Sequence, residues 1–158
     1  MANYIGEFDC KVDAKGRMIL PAGLLKQFTA KEKAGFAINR SVFQKCLVLY
    51  PLDAYNETLN EFSRLNKYTK MNDDFIRRFT NGAVIVEMDS ANRILFPKRL
   101  TAYAGIQSEV ILSASLNKIE IWAADKFNEL MDSYDPDSFA DLAEKVMGSQ
   151  GNNPPQNP

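Results

Sequence analysis

The sequence has no histidine, a single tryptophan and only two cysteines among its 158 residues. No apolar run approaches the roughly 18 residues a membrane span needs. Without histidine no Ser-His-Asp or Cys-His nucleophile system can be assembled, and the commonest zinc and iron ligand is missing. Cys10 and Cys46 show no metal-ligand spacing and read as reduced, half-buried thiols on β-strands. No cofactor, metal or small-molecule substrate is expected. The opening MANYIGEFDC lacks the basic-then-apolar pattern of a secretory leader, so a cytoplasmic location without a membrane partner is expected. An excess of charge of one sign is lacking too: 19 Lys and Arg stand against 20 Asp and Glu. What is present, 46% hydrophobic residues, suffices for one core or two small ones sharing an interface.

The near-neutral total hides an asymmetry. Residues 1–50 carry a net +4, residues 51–100 carry +1, and residues 101–158 carry −6. A basic front end ahead of an acidic C-terminal region suits a polyanion partner, although an unevenly charged solvated surface gives the same count.

An internal repeat organises the chain. Val12–Leu24, VDAKGRMILPAGL, aligns with Met88–Leu100, MDSANRILFPKRL, so that Asp13, Arg17, Pro21 and Leu24 fall on Asp89, Arg93, Pro97 and Leu100 at an offset of 76. Downstream, Cys46–Tyr55 resembles Lys118–Phe127 at an offset of 72, which requires a longer connection in the first copy. Each copy reads as a strand (Ile5–Val12, and Ala83–Met88 as a more buried one), a tight turn, a short strand, and a proline opening a short helix. A hairpin follows, Gly35–Arg40 with Cys46–Tyr50 and Glu109–Ala114 with Ile119–Trp122. A helix then starts near Asp53 or Asp125 as cap or first-turn acid. Between the copies, residues 66–80 form a polar joint ending in a short helix with Phe75, Ile76 and Phe79 buried. A last helix is expected over Asp137–Met147.

The fold class is therefore α+β. The expected architecture is a β-barrel-like core of two tandem, pseudo-two-fold-related half-domains with flanking helices. The partition is residues 7–54 for the first repeat, 55–82 for a helical connector and 83–126 for the second repeat. Residues 127–147 form C-terminal helices, and 148–158, without apolar side chains, form a disordered tail.

The turn D-A-K-G-R carries the chemistry. The Asp13 carboxylate can fold back onto backbone N–H groups two or three residues on, and Gly16 supplies a positive φ. In the second copy Asn92 stands in the place of Gly16, and asparagine is the residue that next best tolerates the left-handed region. Arg17 and Arg93 emerge just past their turns, each with a planar fork that fits guanine or phosphate bidentately. Lys11 and Lys15 in the first copy, and Lys98 and Arg99 in the second, can add phosphate contacts. The plain alternative is an Asp–Arg pair that only staples the turn. A paired-carboxylate hydrolase built from Asp13 and Asp89 is disfavoured, because an arginine four residues on keeps each acid ionised.

The doubled D-x-x-x-R, Asp13…Arg17 and Asp89…Arg93, each followed by P-x-x-L, resembles the MraZ family, as do the CLVLYPLDAY and NKIEIW segments. The resemblance covers roughly residues 3–131. It implies AbrB-type swapped-hairpin half-domains and a cytoplasmic, nucleoid-associated regulator without enzymatic activity. Such a regulator acts on the promoter of the division and cell-wall gene cluster, where it binds direct repeats in double-stranded DNA as a ring-shaped homo-oligomer. It also implies that Arg17 and Arg93 meet DNA while Asp13 and Asp89 shape their turns. Two departures stand out: Asn92 replaces a usual glycine, and Leu25 and Thr101 occupy places where the family often has arginine. The rival reading is an oligomeric interaction or scaffold protein that binds no DNA.

Overall fold

The structure, a computed structural model, describes residues 3–148. Among the described residues the chain divides into two compact units, one ending at Ala124 and the other beginning at Asp125. In the first, β1 (Gly6–Lys11), β3 (Phe36–Arg40), β4 (Leu47–Pro51), β5 (Val84–Val86), β7 (Glu109–Ser115) and β8 (Lys118–Ala123) form one antiparallel sheet. Their order is β1-β7-β8-β4-β3-β5. A separate two-stranded ribbon pairs β2 (Arg17–Ile19) with β6 (Arg93–Leu95).

The pairing registers carry the repeat into three dimensions. Met18 faces Ile94 across the ribbon, and Val48 faces Glu120 across the centre of the sheet. Both are pairs of repeat-equivalent residues, so one pseudo-two-fold axis passes between the members of each. The same axis exchanges the outer strands: β1 of the first copy pairs with β7 of the second, and β5 of the second pairs with β3 of the first. Cys10 lies opposite Val110, while its equivalent Val86 lies opposite Phe36. Phe36 and Val110 are thus equivalent at an offset of 74. The extra length of the first copy is split evenly between the approach to β3 and the hairpin loop 41–46.

Strand alternation sorts the core. Phe36, Ile38, Leu47, Leu49, Val110, Leu112, Ile119 and Ile121 point to one face of the sheet. There they meet Met18 and Ile94 from the ribbon, Leu24 from α1 (Ala22–Leu25), and Leu100 and Ala104 from α4 (Lys98–Ala104). Ala37, Val48 and Tyr50 point the other way, onto Tyr55 and Leu59 of α2 (Leu52–Phe62) and Phe79 of α3 (Lys70–Phe79). The amide of buried Asn39 is satisfied there, donating to the Phe79 carbonyl at 2.5 Å. Pro21 and Pro97, extended at φ near −66° and −60°, precede α1 and α4. In these positions the missing N–H costs nothing, because the first helical turn leaves its donors unpaired anyway. Asp53 sits in the first turn of α2 without capping it.

Three expectations are corrected. The β-rich core does not close into a barrel. Its edge strands β1 and β5 are related by the pseudo-two-fold and lie at opposite ends of the sheet, and each chain copy leaves its edge through the D-x-x-x-R turn into the ribbon instead of pairing the edges together. The strand following Ala83 is a short edge, not a more buried one: Ile85 is 68% exposed, since a terminal strand has a neighbour on one side only. On α3 no residue is fully buried and Phe75 is half exposed, because only the Phe79 end of this helix reaches the sheet.

The second unit opens with α5 (Ala124–Ser133), with Asp125 in its first turn, followed by α6 (Pro136–Ala143). Asp135 caps α6, accepting from the Ser138 N–H at 2.8 Å. From Glu144 to Gly148 the helix widens into a π turn. The tail expected to be disordered lies, from residue 149 on, outside the described residues. Cys10 and Cys46 are free thiols, on β1 and at the entry to β4, with Cys46 fully buried.

Candidate nucleic-acid interface

Both turns have the same construction. Asp13 Oδ1 accepts from the N–H groups of Lys15 and Arg17, each at 2.9 Å, and its Oδ2 accepts from Arg17 Nε at 2.8 Å. Asp89 repeats this with Ala91 at 2.9 Å, Arg93 at 3.0 Å and Arg93 Nε at 2.8 Å. Gly16 at φ +83° and Asn92 at φ +60° occupy the left-handed position, each donating back to its aspartate carbonyl at 3.0 Å. The turns also brace each other. Leu20 N–H donates to Asn92 O at 2.9 Å, and Phe96 N–H to Gly16 O at 2.8 Å, so each turn receives the end of the other copy's strand.

These bonds fix the charge state. Hydrogen bonding from the Arg17 N–H, with further help from the guanidinium and the Lys15 N–H, holds the Asp13 carboxyl below its ordinary 3.8, and Asp89 is lowered in the same way by Arg93 and Ala91. Both acids stay ionised at neutral pH, each satisfied within its own turn. A dyad sharing one proton needs the opposite condition, one carboxyl raised by its neighbour.

The ribbon brings Arg17 and Arg93 together. Met18 and Ile94 face the core with no exposure, so the alternate residues Arg17, Ile19, Arg93 and Leu95 share the outer face. Arg17 lies opposite Leu95, and Arg93 opposite Ile19. The two arginines are therefore diagonal neighbours, a relation that places their Cβ atoms roughly 7 Å apart. Both side chains are about one-third exposed, at 32% and 33%. Each engages its aspartate through Nε alone; among the described residues the terminal nitrogens have no hydrogen-bond partner. The aspartate thus anchors the guanidinium at Nε and leaves the donors of its two terminal nitrogens uncommitted within the turn.

The other cations are dispersed. Lys15 is exposed at the tip of the first turn, while Lys11 lies on β1, opposite Glu109 in the main sheet. Lys98 and Arg99 are exposed at the start of α4, beyond the ribbon. Leu25 packs on the core and Thr101 is bonded to the Lys98 carbonyl, so neither of these positions carries a cation. Ile19 and Leu95, 60% and 56% exposed, sit beside the arginines and were missed by sequence reasoning. In R-M-I-L and R-I-L-F every residue after the arginine is apolar, which conceals the two-residue period. Counting two residues from each arginine finds them.

A family model described as "MraZ protein, putative antitoxin-like" matches the chain twice, over residues 4–78 and 79–149. The chain belongs to the MraZ family. A protein named Transcriptional regulator MraZ from Christiangramia forsetii is 48% identical over 149 residues, covering 94% of this chain and 96% of the relative. Relatives of the same name from Flavobacterium psychrophilum (44%, covering 94% of each chain) and Bacteroides fragilis (38%, covering 93% of this chain and 92% of the relative) are similar along nearly their full lengths. The two MraZ matches meet between residues 78 and 79, so each MraZ repeat contains one D-x-x-x-R turn and contributes one strand of the ribbon.

Proposed function

We propose that this chain is a sequence-specific, DNA-binding transcriptional regulator, and not an enzyme, that engages the major groove with its β2–β6 ribbon. The carrying observation is the ribbon's outer face, where two arginines related by the pseudo-two-fold are diagonal neighbours, each held by its own aspartate through Nε and about one-third exposed. A two-stranded ribbon is one of the elements the major groove, about 12 Å wide, admits, and arginine bidentate to guanine is its commonest specific contact. The pseudo-two-fold of the ribbon matches a local two-fold of the duplex. The names of the MraZ relatives support the same reading.

In this reading Arg17 and Arg93 read bases or clamp facing phosphates, and Lys11, Lys15, Lys98 and Arg99 add backbone contacts. Asp13, Gly16, Asp89 and Asn92 hold the turns. The exchange of β1 and β5 between the copies supports classing the two repeats as AbrB-type swapped hairpins, with residues 7–54 and 83–126 as the repeats and 55–82 as their connector. One ribbon per chain gives few contacts, so the functional form is a ring-shaped homo-oligomer whose subunits meet successive direct repeats in its own promoter, each linked contact raising the effective concentration for the next. The place of action is the nucleoid.

The test is fluorescence anisotropy of a duplex from the chain's own upstream region, titrated at several salt concentrations. Wild type is expected to bind with an affinity that falls steeply with salt. Arg17→Ala and Arg93→Ala should each weaken binding about tenfold or more, within the 1–3 kcal/mol of a bidentate base contact, while thermal melts stay close to wild type. Binding that is absent at low salt overturns the reading in favour of an interaction protein. Variants that bind as wild type does place the contact elsewhere.

A further inference from the structure

Away from the ribbon, two surfaces are left open, and they complement each other. The first is a concavity of about 390 Å³ within unit 1, between the hairpin loop 41–46 and α3. Val42, Phe43 and Phe75 give it an apolar wall, with Phe43 90% exposed. Arg40 and Arg78 line it, and the Arg40 guanidinium and the Lys45 ammonium each lie 4.5 Å from the centre of the Tyr103 ring. No carboxylate lines it. Among the described residues none of these three cations is in an ion pair, and Arg40 Nε is buried without an acceptor. An apolar wall with a rim of unpaired cations calls for an acidic, amphipathic occupant.

The second surface has that chemistry. In unit 2, Tyr134, Phe139 and Leu142 line an open apolar hollow, and Phe139 is 71% exposed. Residues 125–148 carry seven Asp or Glu against two Lys. Of these acids, Asp137 and Asp141 lie on α6 itself, within three residues of Phe139.

We infer that α6 of one copy docks into the 41–46/α3 concavity of a second copy, with Phe139 and Leu142 against Val42, Phe43 and Phe75, and Asp137 and Asp141 against Arg40, Lys45 and Arg78. The two surfaces differ, so the contact is head-to-tail: every copy offers one of each, and a chain of copies closes into a ring when the rotation permits. This rests on the assembly reading above and gives it an interface made of named residues.

A mixing experiment on the full-length chain separates the cases. Phe43→Ser/Arg78→Glu breaks the concavity, and Phe139→Ser/Asp141→Lys breaks the helix; all four positions are at or near the surface, and circular-dichroism melts check folding. The single variants Arg78→Glu and Asp141→Lys serve if a double variant unfolds. By sedimentation velocity, wild type should run as several chains and each variant alone as one. Their equimolar mixture should run as two chains, since each contributes its intact half. Arg17→Ala, outside both surfaces, should keep the wild-type mass. A monomeric wild type overturns the inference together with the ring reading, including the case where the concavity is filled from within the same chain. A wild-type oligomer that neither variant disturbs, or a mixture that stays at one chain, overturns this interface and leaves DNA binding by the ribbon standing.

Discussion

Gly16 and Asn92 are equivalent in backbone conformation but not in surroundings. A Cβ at Gly16, already at φ +83°, would come within 3.0 Å of the Phe96 carbonyl oxygen, which belongs to the strand that the turn receives. Gly16→Ala is therefore expected to destabilise the fold by about 1–2 kcal/mol, the cost of a side chain in the left-handed region plus the close contact. Asn92→Gly should change stability by only a few tenths of a kcal/mol, since it removes the milder strain that asparagine tolerates and adds backbone freedom to the unfolded chain. Chemical denaturation of the two variants checks both. The aspartates give a pH signature. Their folded-state pKa values lie below the ordinary 3.8, so the stability they contribute is present above that value and is lost as pH falls through the lower folded value. The stability difference between wild type and Asp13→Asn/Asp89→Asn should thus be constant near neutrality and shrink only below about pH 4. At Cys46 burial, aided by the nearby Glu120 charge, pushes the thiol up to about 12. Native protein titrated with a disulfide reagent at pH 8 should leave Cys46 unreacted until denaturant is added.

At the scale of elements, the ribbon is three residues long on each strand, too short to persist by its own hydrogen bonds. It is held by what lies beneath it, Met18 and Ile94, both without exposure and central to the main core. Ile94→Ala should cost about 2–5 kcal/mol, as expected for a large-to-small change in a packed interior. It should also weaken DNA binding, because the arginines lose the platform that aims them. Equilibrium unfolding and anisotropy on the same sample relate the two effects. An unfolding loss that leaves DNA affinity intact at temperatures where the variant is folded would mean the arginines are aimed by their aspartates alone. The helices are less constrained: α3 meets the sheet through Phe79 while Phe75 remains half exposed, and this face became legible only when the chain was folded.

Across the whole molecule, the strand exchange makes the two repeats one cooperative body. The β1 strand completes the second copy's hairpin and β5 completes the first's, and the central β4–β8 pairing joins the copies. A fragment holding only residues 1–82 would have the outer strand of the other half and lack its own. Such a fragment, or its counterpart 83–148, is not expected to exist as a folded monomer. It should be either unfolded or self-associated, with two copies standing in for the two halves. Far-UV circular dichroism together with sedimentation checks this, and a folded single-chain fragment would contradict the reading of the two halves as interlocked.

The repeat, the D-x-x-x-R turns, the residues that shape them, most strand positions and the helix starts after Pro21 and Pro97 were all legible in the sequence. They depend on local chemistry: an aspartate reaching its own backbone, a position needing positive φ, a ring without an N–H, and alternation of apolar side chains. Sequence alone did not reveal the open sheet, the exposed edge at Ile85, the sharing of one face by Ile19, Leu95 and the arginines, or the split of the extra residues between two connections. Each of these depends on which strand lies beside which. Pairing partners far apart in the chain are chosen by the collective burial of Phe36, Leu49, Leu112, Ile121 and their neighbours, a sum over the whole core that no local segment contains.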